Sequence, residues 1–316
     1  MMKVLIVCSG NAQNFSFEIN QAFIYDQINS IKLLDSSIDF DFFFIEGKGW
    51  RGYLKNLKLL KEKITKSDFN FIHAHSGDSI LLASLQRVLP VLGTYHGSDL
   101  NRKKNRYLSN FANVLSKHSI VVSNNLHQKL FINNKVDVVP CGVDFEIFFP
   151  IEKNEARLQM KIPIDKKVIL FSSSFNNHVK NFPLASESIK KLNHNNLIIL
   201  ELKGYKRSEI NLLLNSADIA LMTSFREGSP QFIKEAMACN LPIVSTDIGD
   251  VRDNIEKTKG CFITSFNSND VAENIRKALA FDKPTNGRND IKFLDNNLIA
   301  KQIIDIYRKI NSKNNK

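Results

Sequence analysis

The strongest constraint on this sequence is an alternation of short apolar runs with segments of helical spacing. In the first half of its 316 residues, runs rich in Val, Ile, Leu and Phe occur at 3–9, 40–45, 69–74, 90–96, 119–123 and 136–140. Runs that are apolar throughout are typical of strands covered on both faces of a parallel sheet. Apolar residues in the intervening segments recur at helical spacing, as at Tyr53, Leu54, Leu57, Leu60 and Ile64. The pattern predicts a doubly wound α/β domain.

The same alternation starts again in the second half, with apolar runs at 168–173, 197–202, 218–224, 241–247 and 260–264. A polar stretch with two prolines, 146–166, separates the two sets and predicts a linker. We therefore assign residues 1–150 and 151–294 to two Rossmann-like domains, followed by a helical segment at 295–316. Ligands of open α/β sheets bind beyond the carboxyl ends of the strands, so two such domains in tandem predict a central cleft.

Charge and cysteine content narrow the class of protein. Lys and Arg number 43 and Asp and Glu 32, and this formal net charge of +11 favours an anionic partner. The four cysteines form no CxxC pair, which argues against structural zinc and favours a reducing compartment. No apolar run suits a signal peptide or a membrane span, so we expect a cytoplasmic protein, either soluble or peripheral on the inner face of the plasma membrane. No zinc-finger, RNP-like or basic-zipper pattern supports nucleic-acid binding.

The segment after the 218–224 run carries the sharpest motif, FREGSPQFIKEAMA at 225–238. Ser229 suits a helix N-cap and Pro230 the first helical position, which places Glu227 in a loop just before a helix. The N–H groups at such a helix start favour a phosphate, and the carboxylates of Glu227 and Glu235 suit sugar hydroxyls. The residues alone leave open that both acids are simply solvated on an amphipathic helix.

Seven residues separate Glu227 from Glu235 within EGSPQFIKEAMACNLPIVSTDIGDV, and this block closely resembles the E-x7-E block of the family 4 glycosyltransferases. That family consists of retaining enzymes of the GT-B fold, with two Rossmann-like domains facing a central cleft. The resemblance extends to VPCGVD at 139–144 with Phe149-Pro150, and it covers most of the chain. It implies that the final helix packs back on the first domain.

The resemblance also implies roles for particular residues. The first Glu of the family block contacts the donor sugar near the reacting centre, and the second holds the ribose hydroxyls, so these roles fall on Glu227 and Glu235. The turn TYHGSD at 94–99 resembles the family's His-Gly-x-Asp turn, which makes His96 a second catalytic candidate beside the transferred sugar. The start of the motif helix is implied in donor binding, through Gly228, Ser229, Pro230, Gln231 and Phe232.

The family holds the donor diphosphate with an Arg that follows a Gly and with a Lys about six residues later. Lys180 matches the Lys, whereas Ser173 and Ser174 stand at the Gly and Arg positions. Hydroxyl and N–H groups of 173–177, or the cation of Arg226, are candidates to replace the missing charge. In the first domain, Gly10 lies where the family carries a Gly-Gly pair, and a glycine permits close approach of the backbone to a phosphate.

Two further histidines, His73 and His75, lie two residues apart at the end of the 69–74 run and share one face of a strand. No third ligand accompanies them, so we predict no metal site and interpret His75 as a cleft residue. The prediction includes no cofactor, because the nucleotide sugar is the substrate.

A basic segment at 48–66 holds seven bases and one acid. It overlaps GKGWRG at 47–52, which formally satisfies G-x-G-x-x-G but follows the second strand and carries bases at its variable positions, so we do not predict NAD binding. The helix either packs on its own sheet with solvated lysines or contacts anionic lipid or a lipid-diphosphate acceptor. The bases at 102–106 favour the second alternative, for which the candidate residues are Lys48, Arg51, Lys55 and Lys58.

We therefore predict a retaining, metal-independent hexosyltransferase that moves a sugar from a nucleotide-diphosphate donor to a glycan or lipid-linked acceptor. By resemblance, its product belongs to a bacterial surface polysaccharide, such as capsule or lipopolysaccharide, or to a glycolipid. Two alternatives stay open: an epimerase-type GT-B enzyme that alters a nucleotide sugar without transferring it, and a non-catalytic nucleotide-sugar-binding subunit. The Glu pair argues against both, whereas Ser174 favours the second.

Overall fold

The computed structural model describes residues 1–47, 49–193 and 196–312. The chain forms two compact units. Unit 1 consists of Met1–Gly142 together with the segment from Asn296 onward, and unit 2 consists of Val143–Asp295.

Each unit contains one sheet whose strands are all parallel. The sheet of unit 1 has the order β2-β1-β3-β4-β5-β6, and that of unit 2 has the order β11-β10-β9-β7-β8. The strands within the described residues are β1 Met2–Ser9, β2 Ile38–Ile45, β3 Phe71–His75, β4 Val91–Tyr95, β5 His118–Val121, β6 Val136–Val138, β7 Lys167–Phe171, β8 Leu197–Glu201, β9 Ile219–Met222, β10 Ile243–Thr246 and β11 Cys261–Thr264. Every strand predicted from an apolar run is therefore confirmed, as is the doubly wound α/β class.

Helices connect the strands and cover both faces of each sheet. Their bounds are α1 Phe17–Asn20, α2 Ala22–Leu34, α3 Gly49–Thr65, α4 Gly77–Leu85, α5 Ser98–Asn101, α6 Lys103–Leu115, α7 Asn124–His127, α8 Lys153–Met160, α9 Phe182–Lys190, α10 Arg207–Ser216, α11 Gln231–Ala238, α12 Val251–Ile255, α13 Ser268–Phe281, α14 Gly287–Asp290 and α15 Asn296–Ser312. Single 3-10 turns lie at His178–Lys180 and Lys292–Leu294.

Strand β1 shows how the apolar runs build two cores in unit 1. Val4 and Ile6 pack with the helices α2 and α15, whereas Leu5 and Val7 pack with α3, α4 and α6. All four side chains are fully buried. Because successive side chains of a strand point to opposite faces, a run without polar residues supplies both cores at once.

The boundary between the units lies eight residues before the predicted one at 150/151. The N–H of Val143 donates to the carbonyl of Leu294 at 2.8 Å, so both crossings of the chain meet at the edge of unit 2. Phe148 is fully buried in the core of unit 2, which places the segment after Gly142 in that unit. The helix α15 packs on α2 within unit 1.

The predicted apolar stripe of α3 is wrong at one position. Leu60 and Ile64 are buried, but Leu54 is 57% exposed. The buried place near it belongs to Asn56, whose amide donates to the carbonyls of Glu46 and Gly52 at 2.7 and 2.6 Å. A polar side chain occupies this position because it closes the loop that enters the helix.

Candidate active site

The donor-side candidates of unit 2 lie where loops leave the carboxyl ends of β7 and β9. These strands are neighbours, with β8 on one side and β10 and β11 on the other. Successive loops therefore diverge between β7 and β9, and this switch point is where open α/β sheets bind ligands. Ser173 and Ser174 follow β7, and Glu227 follows β9.

Lys180 and Glu227 form an ion pair at this switch point. The Nζ atom of Lys180 lies 2.7 Å from Oε1 of Glu227, and the side chains are 20% and 19% exposed. Lys180 ends a 3-10 turn that begins where the side chain of Asn177 accepts from the N–H of Val179 at 3.2 Å. The structure thus brings together the predicted diphosphate cation and the predicted sugar-binding carboxylate.

Two further contacts join the same loops. The Thr223 hydroxyl donates to the carbonyls of Lys180 and Asn181, at 3.1 and 2.9 Å. The N–H of Phe225 donates to the carbonyl of Val179 at 2.9 Å. The positions of Lys180 and Glu227 are therefore fixed by main-chain contacts as well as by their charges.

The helix α11 begins at Gln231, with Pro230 as its N-cap, so the prediction of Ser229 as the cap is wrong. The Ser229 hydroxyl instead donates to Oδ2 of Asp250 at 2.5 Å. Lys234 is fully buried, contacts the Ser229 hydroxyl and lies 3.5 Å from the same Asp250 oxygen. A hydroxyl held by a buried carboxylate and ammonium is unavailable as a cap.

Gly249 holds the loop after β10 against the start of this motif. Its φ is +62°, and a Cβ atom there would lie 2.5 Å from the carbonyl oxygen of Gly228. Only a glycine meets both conditions without strain. The loop that contains Gly249 thereby packs against the backbone of Gly228, next to Glu227, and restricts its position.

Glu235 is nearly buried, at 5% exposure, and lies within α11. Its Oε1 atom is 3.4 Å from Nη1 of Arg207, the first residue of α10. The guanidinium of Arg207 also lies over the ring of Phe148, at 5.0 Å from its centroid. The sequence analysis missed Arg207 and Lys234, because each faces a carboxylate from another element, Glu235 and Asp250 respectively, and no local spacing indicates these pairs.

Ser173 and Ser174 are half-buried and take part in the loop after β7. The Asn177 amide donates to the Ser173 hydroxyl at 3.3 Å, and the N–H of Asn176 donates to that of Ser174 at 3.4 Å. Arg226 is half-buried beside Glu227 and forms no ion pair with another side chain in the described part of the chain. Arg226 therefore remains a candidate for the second cation that would bind the donor diphosphate.

In unit 1 three histidines, His73, His75 and His96, form one connected group at the ends of β3 and β4. Nδ1 of His75 lies 3.1 Å from Nε2 of His96. The rings of His73 and His75 lie 4.2 Å apart between centroids. His73 bridges Tyr307 of α15 and Thr94 of β4, with 2.7 Å at each ring nitrogen. The terminal helix is therefore linked by hydrogen bonds and ring packing to the predicted catalytic His96.

Burial sets the charge of this group. It lowers the pKa of His73 and of His96 to about 3, and it lowers the pKa of His75 well below its usual range. All three imidazoles are neutral near pH 7, so each has one N–H donor and one acceptor nitrogen. His96 is the partly exposed member, and its neutral ring suits a hydrogen bond to a hydroxyl group.

Two glycine positions of unit 1 have a structural explanation. Gly10 follows β1, and a Cβ atom there would lie 2.9 Å from Cβ of Phe44. In the loop after β2, Gly47 has a φ of +95°. A Cβ atom on Gly52 would lie 2.9 Å from the carbonyl carbon of Gly47. The glycines of this motif therefore allow the chain after β2 to pack closely against the first turn of α3.

The remaining surface candidates belong to α3. Arg51, Lys55 and Lys58 are exposed on this helix, and Lys48 lies outside the described residues. Across the described ranges, no three His, Cys, Asp or Glu side chains are grouped as metal ligands. No helix within those same ranges is long and apolar enough to cross a bilayer.

Two profiles of known protein families match this chain. The profile described as Glycosyltransferase Family 4 matches residues 5–147, and that of Glycosyl transferases group 1 matches residues 183–280. The first match covers most of unit 1 and extends into the first residues of unit 2, and the second lies within unit 2. The chain belongs to the family 4 glycosyltransferases, as its E-x7-E block predicts.

Two curated relatives carry more specific names. TuaC of Bacillus subtilis, a putative teichuronic acid biosynthesis glycosyltransferase, is 26% identical over 70% of this chain and 64% of its own length. The N,N'-diacetylbacillosaminyl-diphospho-undecaprenol alpha-1,3-N-acetylgalactosaminyltransferase of Campylobacter jejuni is 27% identical over 58% of this chain and 61% of its own. The matched region spans less than two thirds of either relative.

Solved structures share the whole fold. The sucrose-phosphate synthase of Thermosynechococcus elongatus aligns with a TM-score of 0.83 at 15% identity, over 99% of this chain and 100% of that one. Anabaena HepE in complex with UDP and glucose aligns with a TM-score of 0.73 at 16% identity, over 98% of this chain and 100% of that one. At these identities the likeness concerns the fold, which is GT-B.

Proposed function

We propose that this chain is a retaining glycosyltransferase that moves a hexose from a nucleotide-diphosphate donor to a glycan or lipid-linked acceptor without a metal ion. The observation that carries the proposal is the contact between Lys180 and Glu227 at the switch point of unit 2. The UDP and glucose of the HepE complex support a nucleotide sugar, and the diphospho-undecaprenol in the name of the Campylobacter enzyme supports a lipid-linked acceptor.

The donor diphosphate would lie between Lys180 and the start of α11. The first N–H groups of a helix have no partner within it and carry partial positive charge. With the Lys180 ammonium, they stabilise the negative charge that develops as the diphosphate leaves. These fixed charges support a reaction without a metal ion.

The two carboxylates would bind different parts of the donor. Glu227, beside Lys180, orients the hydroxyls of the transferred sugar. Glu235 accepts from the ribose hydroxyls, and its burial strengthens such charged hydrogen bonds because little water competes for the oxygens. His96 of unit 1 is a neutral imidazole, which can donate to or accept from a sugar hydroxyl.

Transfer would occur with retention of configuration. The acceptor hydroxyl attacks the anomeric carbon from the face that the diphosphate leaves. The bond from that carbon to the phosphate oxygen breaks, and the departing oxygen takes the acceptor proton. We assign no covalent nucleophile to the protein.

We propose further that unit 1 contacts an anionic membrane surface, which would supply a lipid-linked acceptor. On α3, Leu54 and Leu59 are 57% and 43% exposed and share the surface with Arg51, Lys55 and Lys58. A helix that exposes both leucines and bases suits the interface between lipid headgroups and acyl chains.

The helix α6 adds to this surface, because α3 packs on α4 and α4 packs on α6. It begins with Lys103 and Lys104 and then exposes a row of large apolar side chains, Tyr107, Leu108, Phe111 and Val114, which are 47–70% exposed. Neighbouring exposed apolar side chains of this kind are typical of interaction sites.

The reaction is tested by incubating the purified protein with UDP-, GDP-, ADP- and CMP-sugars and lipid-diphosphate acceptors in the presence of EDTA. We expect nucleotide release with one donor and a glycosylated acceptor whose new linkage keeps the donor configuration. Glu227→Ala is expected to lower the rate by about 100-fold or more, whereas Glu256→Ala, on the exposed surface of unit 2, is the matched control. Full transfer by Glu227→Ala would contradict the proposal.

Product analysis also decides between the alternatives. An altered sugar without an acceptor product would indicate an epimerase-type enzyme, and donor binding without turnover a non-catalytic subunit. For the membrane contact, flotation with anionic vesicles is expected to be lost in Lys55→Glu/Lys58→Glu/Lys61→Glu. Flotation that persists in this variant argues against the contact.

A further inference from the structure

Three exposed rings form a row in unit 2, which we call the aromatic strip: His178, Phe225 and Phe266. The ring centroids of His178 and Phe225 are 5.8 Å apart, and those of Phe225 and Phe266 are 5.9 Å apart with planes only 20° from parallel. Phe225 is 49% and Phe266 52% exposed. Single exposed apolar residues are common, but three neighbouring aromatic rings beside a candidate active site present an apolar surface to a ligand.

The strip is continuous with the Lys180–Glu227 pair. His178 and Lys180 belong to the same 3-10 turn, and Phe225 precedes Glu227 by two residues. The hydrogen bond from the Phe225 N–H to the Val179 carbonyl joins the two segments at 2.9 Å. A ligand that lies on the strip is therefore adjacent to the groups that would hold the donor sugar.

Strand order gives the direction in which the strip extends. Arg207, the partner of Glu235, begins the helix after β8, which forms one edge of the sheet. Phe266 follows β11, which forms the opposite edge. If Glu235 holds the ribose, the nucleotide lies toward β8, whereas the strip runs from His178 after β7, past Phe225 after β9, to Phe266 after β11, away from the nucleotide.

We propose that the aromatic strip is a subsite for a pyranose ring of the acceptor glycan, an inference that rests on the proposed function. One face of a pyranose carries C–H groups, which pack on the electron-rich face of an aromatic ring. The flanks of the strip are polar, with Asn176 exposed and Arg226 half-buried, and such groups pair with the hydroxyls at the sugar's edge. Open, polar flanks favour a sugar over a lipid chain, which requires an enclosed apolar groove.

The proposal is tested by saturation-transfer NMR with the methyl glycosides of glucose, galactose, N-acetylglucosamine and N-acetylgalactosamine, each titrated with and without UDP, GDP and ADP. We expect at least one glycoside to bind the unmodified protein. Phe225→Ala and Phe266→Ala are expected to weaken this binding about fivefold or more, since an aromatic stacking contact contributes about 1 kcal/mol or more. Phe266→Tyr is expected to retain it.

Phe293→Ala is the matched control, because Phe293 is also in unit 2 and is 56% exposed. Nucleotide affinity in the strip variants should stay within about twofold of the unmodified protein. The proposal is overturned if no glycoside binds, or if glycoside binding is unchanged in both Phe225→Ala and Phe266→Ala. A loss of nucleotide affinity in these two variants also overturns it, because that result would assign the strip to the nucleobase. Nucleotide binding without glycoside binding refutes the subsite alone, whereas failure of all three nucleotides to bind refutes the proposed function.

Discussion

The ammonium of Lys180 lies 2.7 Å from a carboxylate oxygen of Glu227, although 47 positions separate the two residues in the chain. The cation and the carboxylate follow neighbouring strands, β7 and β9, so the parallel sheet itself brings them together. A bound diphosphate would compete with Glu227 for the same ammonium. We therefore expect substitutions of Lys180 and of Glu227 to have opposite effects on nucleotide binding.

Lys180→Met is expected to weaken binding of the free nucleoside diphosphate about 10- to 100-fold, because a charged hydrogen bond to phosphate is lost. Glu227→Gln is expected to leave that affinity equal or higher, since a negative charge beside the phosphate is removed, while transfer is lost. Calorimetric titration measures both affinities. Lys191→Met, a partly exposed lysine of unit 2, serves as the control, and equal weakening by all three variants would contradict the assignment.

Glu235→Ala is expected to abolish discrimination between a ribonucleoside diphosphate and its 2'-deoxy analogue. The nearly buried carboxylate of Glu235 accepts from the ribose hydroxyls in the proposed complex, and such bonds contribute about 1.5–3 kcal/mol. The unmodified protein should therefore prefer the ribonucleotide by roughly tenfold or more. Competition binding with both nucleotides measures the preference, with the exposed Glu273→Ala as control. A preference that survives in Glu235→Ala excludes the ribose role.

Gly249→Ala is expected to destabilise unit 2 more than Gly204→Ala does. Both glycines have positive φ, +62° and +80°, so both substitutions introduce backbone strain. Only at Gly249 would the new Cβ lie 2.5 Å from a carbonyl oxygen, that of Gly228, whereas nothing lies within 4 Å at Gly204. Overpacking of this kind adds about 1–3 kcal/mol. Urea unfolding of the two variants measures the difference, and equal losses would show that the contact with Gly228 relaxes without cost.

The histidine group is expected to make unit 1 sensitive to acid. Burial lowers the pKa of His73 and His96 to about 3, below the ordinary value of 6.5, so the folded protein leaves them neutral while the unfolded chain takes up protons. Their contribution to stability is therefore complete above pH 6.5 and is lost as the pH falls toward 3. The expected slope is about 1.4 kcal/mol per pH unit for each histidine.

Urea unfolding between pH 7 and 5 measures this slope. His73→Asn should reduce the number of protons taken up on unfolding by about one, because one titrating group has been removed. The number of protons, and not the stability itself, is the informative quantity, since the substitution also removes hydrogen bonds to Tyr307 and Thr94. An unchanged proton uptake would mean that His73 is not held neutral by the fold.

The strands and the motif positions could be predicted from the sequence because their causes are local. An apolar run such as Val4–Val7 has no alternative to a strand buried on both faces, and the E-x7-E spacing places both acids around one helix start. The contacts that those residues make could not be predicted in this way. The pairing of Glu235 with Arg207 joins elements far apart in sequence, and nothing in either segment alone indicates the other.

The errors have the same physical origin. Helical spacing alone predicts that Leu54 is buried, but hydrogen bonds of Asn56 to the preceding loop give the buried place to a polar residue. Residue preference alone predicts that Ser229 caps α11, but Asp250 lies close enough to take its hydroxyl. In both cases a tertiary hydrogen bond outweighs a weak local preference.

The helix α15 has a consequence for the order in which the protein matures on the ribosome. Ile299, Ile303 and Tyr307 complete the same core that contains Val4 and Ile6. They are translated after the whole of unit 2. That second unit therefore has its full complement of residues while the nascent first unit still exposes the part of its sheet that α15 covers. A chaperone that shields apolar surface on emerging chains would therefore engage this protein on the part made first, and would release it only after the helix at 296–312 has emerged.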